Sequence, residues 1–193
     1  MVNTIEPTVP QKDDRVRGLI LVAAMAAVMW VVEIVDVVAG DLDSAGIRPR
    51  DPEGLVGIAA APFLHGGFGH LFGNTIPFLI LGAVIALSGL ARVAGVTAIV
   101  ALVGGLGVWL VAPASTLHIG ASGIVFGFIT YLITRGIYSR RGLHLAVGVA
   151  VLFIYGGTLA FGFVPTPGVS WQGHAFGAVG GVLAAWLFDR RRS

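Results

Sequence analysis

The chain has 193 residues, 56% of them hydrophobic and 11% charged, with a formal net charge of +2 and a mean hydropathy of +0.90. A soluble domain of this length cannot bury so much apolar surface, so the composition predicts a polytopic, all-α membrane protein. The absence of cysteine excludes disulfides, thiolate catalysis, thiolate zinc sites and iron–sulfur clusters, and basic residues scattered at the ends of apolar runs argue against nucleic acid as a partner.

Residues 1–17 are polar, with Glu6, Lys12, Asp13 and Asp14, and read as a short cytoplasmic tail. No small-residue cleavage site follows the first apolar run, which is therefore read as a retained helix. Six runs are long enough to cross, or nearly cross, a ~30 Å hydrocarbon core: 18–39, 69–90, 93–112, 122–137, 143–163 and 171–188. They predict one membrane domain over 18–188, followed by a basic tail at 189–193. The first loop, 40–68, is long and holds Pro49, Pro52 and Pro62, whereas 89–92 and 139–142 are tight connections and Pro165 and Pro167 mark the last loop. The 29 glycines suit membrane helices, where small residues let backbones approach closely.

Basic residues set the expected orientation. Lys12, Arg15 and Arg17 precede the first run, Arg92 separates the second and third, Arg135, Arg140 and Arg141 close the fourth, and Arg190, Arg191 and Arg192 end the chain. With six crossings all of these fall on one side. Only Arg48 and Arg50 fall opposite, beside Asp41, Asp43, Asp51 and Glu53. The positive-inside rule then puts both termini in the cytoplasm of a plasma-membrane protein and the long first loop outside.

Polar side chains recur at a common depth. Ser122 precedes the basic marker Arg135 by thirteen residues, roughly 20 Å of helix, which places its hydroxyl about 10 Å below the outer edge of the core. His174 precedes Arg190 by sixteen residues, roughly 24 Å, so imidazole and hydroxyl can be level. His70 and Asn74, four apart, share a helix face at the outer start of the second run. A hydroxyl and an imidazole inside hydrocarbon are costly unless they pair or face water.

Each residue also has a plainer reading. A membrane-helix serine ordinarily bonds its own backbone or a neighbouring helix, and His70 and Asn74 can simply cap the second run. Spacing around the pair favours a site. Phe126 lies four residues after Ser122, where its ring can stack on an imidazole. Gly177 and Gly181 follow His174 on its face, and Gly123 and Gly127 make a matching stripe beside Ser122, together permitting the close crossing that a Ser–His hydrogen bond requires. Glu33 and Asp36, three apart near the outer end of the first run, are read as water-exposed, with a role in orienting His174 as the less favoured reading. His118 is read as a loop residue and His144 as interfacial.

Three motifs together, Gly120-Ala121-Ser122-Gly123, His174-Ala175-Phe176-Gly177-Ala178-Val179-Gly180-Gly181 and His70-Leu71-Phe72-Gly73-Asn74, closely resemble those of the rhomboid intramembrane serine proteases. The resemblance runs from Gly18 to Phe188 and implies a six-helix, rhomboid-like bundle with a long first extracytoplasmic loop. It implies Ser122 as nucleophile and His174 as base, with His70, Asn74, the Ser122 N–H and Gly120 forming the oxyanion hole and His65 supporting the first loop. Phe126 stands where the family often has tyrosine, so stacking survives without a phenol. No cofactor and no metal is implied, and the partners are transmembrane protein substrates and the lipid bilayer. One departure is plain: many relatives carry a Trp-Arg pair in the first loop, and the stretch from Leu55 to Leu64 has neither residue, which puts the anchoring of that loop in doubt. A non-catalytic, client-binding member of the same family is the alternative. A channel or proton-coupled transporter using His70 and His174 as a relay is disfavoured, because there is no inverted repeat.

Overall fold

A computed structural model describes residues 11–190. The expected tail residues 1–10 and the terminal Arg191 and Arg192 lie outside the described residues. The described chain folds into α1 (Lys12–Ala39), a one-turn α2 (Gly57–Ala60), α3 (Phe68–Ala86), α4 (Leu90–Val111), α5 (Ser122–Ser139), α6 (Gly142–Gly162) and α7 (Trp171–Asp189). Apart from α2, these match the six apolar runs closely.

The differences at the ends have local causes. The first helix starts at Lys12 rather than at residue 18, because Asp13 and Asp14 in its first turn complement the positive end of the helix dipole. The second run ends at Ala86 rather than at residue 90, because the tight connection expected from residue 89 begins with Gly89 at φ +98°, a conformation that favours glycine. At its start α7 is capped by Ser170, whose Oγ accepts the Gly173 N–H at 3.1 Å.

By length and composition, α1, α3, α4 and α6 suffice to cross a membrane. The other two long helices, α5 and α7, fall short of that apolarity because they carry Ser122, Thr130, Thr134 and Arg135, and Gln172, His174 and Asp189. These two form the centre of the bundle, where α7 packs along α5 and α4. The buried core, including Met29, Leu71, Phe78, Val96, Phe128 and Tyr131, is built mainly by α1, α3, α4 and α5, with Ala184 and Ala185 from α7 and Val151 from α6. By contrast α6 buries only Gly148 and Val151 and turns Phe153 outward, 91% exposed.

Glycine sets the central spacing. A Cβ on Gly177 would collide with the Gly123 carbonyl, and one on Gly181 with the Gly127 carbonyl and the Thr130 hydroxyl. The backbones of α5 and α7 thus touch over two turns, and Thr130 donates its hydroxyl across the contact to the Ala178 carbonyl at 2.8 Å. At the far end of the pair, Asp189 accepts from Arg92 at 2.7 Å, Tyr131 at 2.9 Å and Arg135 at 3.2 Å, clasping α4, α5 and α7 together. This clasp puts the start of α4 and the ends of α5 and α7 at one basic end.

The first loop is folded and anchored by residues other than a Trp-Arg pair. The Trp109 indole of α4 donates to the Asp51 carbonyl at 2.8 Å, and Arg48 pairs with Asp51 at 2.7 Å and Glu53 at 3.2 Å. Ile47 and His118 exchange backbone hydrogen bonds of 2.9 and 3.0 Å, tying this loop to the segment before Ser122. Of the two acids of α1 expected at water, Glu33 needs correction: it is 2% exposed, buried in the bundle. Asp36 is half-buried and accepts the Leu42 N–H at 2.6 Å, which holds the loop's first turn.

The glycine contact predicts opposite effects for two substitutions. Gly181→Val should lower stability by about 1–3 kcal/mol through overpacking. Gly157→Ala, where nothing lies within 4 Å, should be neutral or stabilise by up to ~1 kcal/mol through helix propensity. Thermal unfolding in one detergent checks both, and equal destabilisation would contradict the packing account.

Candidate active site

Ser122 is the first residue of α5, and the chain reaches it through Gly120 at φ +107°. Being first, its N–H has no carbonyl partner within the helix and lies at the positive end of the dipole. Its hydroxyl lies 2.9 Å from Nε2 of His174 on α7. The other imidazole nitrogen, Nδ1, lies 2.7 Å from the Gly162 carbonyl. A carbonyl oxygen only accepts, so Nδ1 carries the proton; Nε2 is left bare and accepts from the Ser122 hydroxyl.

Gly162 is the last residue of α6, and its carbonyl belongs to the unsatisfied, partly negative end of that helix. It orients His174 as a carboxylate does in a soluble triad. The hydrogen bonds of His174 leave no place for Glu33 or Asp36 in that role. Phe126 closes the other face of the imidazole: the rings are parallel within 1°, with centroids 4.0 Å apart. Behind it, Phe163 stands edge-on to Phe126 at 5.7 Å.

Opposite the hydroxyl, α3 supplies donors. A Cβ built on Gly120 would lie 2.7 Å from His70 Cε1 and 3.5 Å from Asn74 Nδ2, so both side chains converge on the bare Cα of Gly120. Asn74 is 7% exposed, and its Nδ2 has no hydrogen-bond partner. A buried amide donor left unpaired is costly, and this one sits where the Ser122 N–H is also free. A cavity of about 50 Å³ opens beside Ser122, lined by Ala61, Gly104, Val108, His118 and Gly120, enough for a small number of waters.

The backbone before Ser122 is fixed on both sides. Gly120 donates its N–H to the Ala61 carbonyl at 2.8 Å, and Ala121 donates to His65 Nε2 at 3.4 Å. His65, 1% exposed, packs its ring edge-on against His70 at 5.1 Å. Burial, and then the neighbouring His70, lower its pKa to about 4, so it stays neutral and keeps a nitrogen available to accept.

The ten residues singled out in the sequence fall into two groups. Ser122, His174, His70, Asn74, Gly120, Phe126 and His65 meet at the site, while Gly123, Gly177 and Gly181 sit beneath it in the helix contact. Sequence reading missed Gly162, because a backbone carbonyl leaves no trace in residue type. It also underrated His118. That residue is buried, and burial lowers its pKa. Its Nδ1 lies 2.7 Å from the Ser170 hydroxyl and its Nε2 2.7 Å from that of Thr116. Thr116 gives its own proton to the Pro113 carbonyl at 2.6 Å, so His118 Nε2–H donates to Thr116 and Nδ1 accepts from Ser170. The loop before Ser122 is thereby bolted to the cap of the helix that carries His174.

Known proteins similar to this chain point to one family. A family model described as "Rhomboid domain" matches residues 52–191. An uncharacterised protein of Mycobacterium tuberculosis is 44% identical over 178 residues, covering 87% of this chain and 74% of its own length. One of Mycobacterium leprae is 43% identical over 182 residues, covering 89% and 72%. YdcA of Bacillus subtilis, named provisionally as a rhomboid protease, is 26% identical over 130 residues, covering 67% and 65%.

Two measurements follow from the site. Unfolding exposes His65 to an ordinary pKa of about 6.5, while the folded value is about 4. The unfolded chain therefore binds the extra proton between those values, so stability falls as pH drops from about 6.5 to about 4, by roughly 3 kcal/mol, and levels below. The pH dependence of thermal unfolding should be shallower by that amount in His65→Gln. On the stacked imidazole, NMR of histidine-labelled protein should show the upfield ring-current shift of His174 kept in Phe126→Tyr and lost in Phe126→Leu.

Proposed function

Because the chain belongs to the rhomboid family, we propose that it is an intramembrane serine endopeptidase that cuts membrane-protein substrates within or beside their transmembrane segments. The observation that carries this reading is the 2.9 Å contact between the Ser122 hydroxyl and the bare Nε2 of His174.

In the proposed reaction, Ser122 Oγ attacks the scissile carbonyl carbon as Nε2 of His174 takes its proton. The imidazolium that forms keeps its Nδ1–H on the Gly162 carbonyl and its face on Phe126. Negative charge moves to the carbonyl oxygen, which accepts from the Ser122 N–H, Asn74 Nδ2 and His70 above Gly120. Donors preorganised in this way commonly contribute ~3 kcal/mol each. Collapse breaks the C–N bond, His174 returns its proton to the leaving amine, and water from the adjoining cavity hydrolyses the acyl-enzyme by the reverse steps. The chemistry uses this chain's own groups, with no cofactor and no metal.

A helical substrate keeps its carbonyls bonded, so the segment that enters must be unwound, which favours helix-breaking residues near the cut. In the same reading the six long helices all cross the plasma membrane, over a domain at 18–188. The basic end, with Lys12, Arg92, Arg135, Arg141 and Arg190, faces the cytoplasm, as do both tails, 1–17 and 189–193, and the first loop faces outward. The two central helices can cross despite their polar groups because neighbouring helices cover them.

Purified protein treated with a fluorophosphonate probe, alongside a model transmembrane substrate, tests the reading. Labelling and cleavage should both be lost in Ser122→Ala and in His174→Ala, and Asn74→Ala should reduce cleavage about 100-fold. Wild-type protein that neither labels nor cleaves while folded would favour a client-binding role, and labelling retained by Ser122→Ala would remove the serine from the mechanism.

A further inference from the structure

A larger apolar crevice, about 620 Å³, opens between α5 and α7 beside Phe163, the residue that follows α6, and the proposed reaction makes no use of it. Thr130, Tyr138, Phe163, Val179, Val182 and Trp186 form its walls. The Thr130 hydroxyl is already given to the Ala178 carbonyl at 2.8 Å, which leaves the Tyr138 phenol as the one other hydroxyl of the lining. The rest of the lining is apolar, so the crevice suits hydrocarbon. Along α7 it runs from Ala175, next to His174, to Trp186, a rise of roughly 16 Å, which is about half the depth of a hydrocarbon core.

At the Trp186 end the chemistry changes. Arg190 lies over the Trp186 ring, 5.4 Å from its centroid, and Arg140 and Arg141 follow Tyr138 directly in sequence after Ser139. All three arginines are exposed, and none forms an ion pair among the described residues. The carboxylate nearest in sequence, Asp189, is already shared by Arg92, Tyr131 and Arg135. An apolar slot thus ends in an aromatic collar and surplus guanidinium charge, which is the pattern of a chain-and-phosphate ligand.

We propose that this crevice binds an anionic phospholipid, with an acyl chain lying along α7 between Val179 and Trp186 and the phosphate held by Arg190 together with Arg140 and Arg141. A helix from a second copy of this chain fits less well. Inserted in the same orientation, it would bring its own arginines against these three. The site is independent of catalysis by Ser122 and is tested without any activity measurement.

The protein is equilibrated in nanodiscs holding equal amounts of phosphatidylglycerol and phosphatidylcholine with matched chains, then released for native mass spectrometry. Wild-type protein should retain one phosphatidylglycerol in clear preference to phosphatidylcholine. Arg190→Gln should reduce that preference about fivefold, the effect of one basic group near a lipid surface. Val179→Trp, at a lining position that is 55% exposed, should fill the crevice and displace the retained lipid without lowering the unfolding temperature. Equal retention of the two lipids by wild type would overturn the proposal. So would an unchanged adduct in both variants, or a lipid-free dimer that Val179→Trp dissociates.

Discussion

The backbone contact between α5 and α7 is the constraint on which the site depends. Gly177 and Gly181 press against the carbonyls of Gly123 and Gly127, and no side chain fits between them. That contact brings the first residue of α5 and the first turn of α7 to within a hydrogen bond of each other. Without it, Ser122 and His174 would be two isolated polar groups in an apolar bundle, each at a cost. Two further ties hold the same pair: the Thr130 bond to Ala178 midway along and the Asp189 clasp at the basic end.

Geometry at the outer end follows from helix termini. Two helix ends supply what side chains do not, the free N–H at the start of α5 and the carbonyl at the end of α6, while the Ser170 hydroxyl caps α7 and Gly120, at φ +107°, presents Ser122. Because termini leave backbone groups unsatisfied, they serve as donors and acceptors in a place where charged side chains would be expensive. The Gly162 carbonyl is the clearest case, since it fixes the tautomer of His174 without placing a carboxylate in hydrocarbon. It also makes the orientation of His174 depend on α6, the helix with the least buried surface of the six long ones.

Much of this was legible in the residue order. Apolar length gave the six long helices, and helical rise put Ser122 and His174 level, because both quantities are carried by spacing alone. The matching glycines forecast the close crossing, and the fourfold spacing of His70 and Asn74 put them on one face. Two features were hidden. The Gly162 carbonyl is a backbone group, of a kind present at every residue and meaningful only once a helix ends there. The anchors of the first loop come from Trp109 and His118, which are distant in sequence from the loop they hold, so reading the loop by itself suggested that it lacked support. Glu33 was misplaced for a related reason: its cover comes from the rest of the bundle.

Of the relations described here, the tautomer of His174 is the one on which a serine nucleophile stands or falls. Nitrogen NMR of histidine-labelled protein in detergent, with the resonance assigned through His174→Gln, reads it directly. The expected spectrum is that of a neutral ring at neutral pH with Nδ1 protonated and Nε2 bare, the state set by the 2.7 Å bond to Gly162. A ring protonated at Nε2 would have nothing with which to accept the Ser122 proton, and that result would contradict the account.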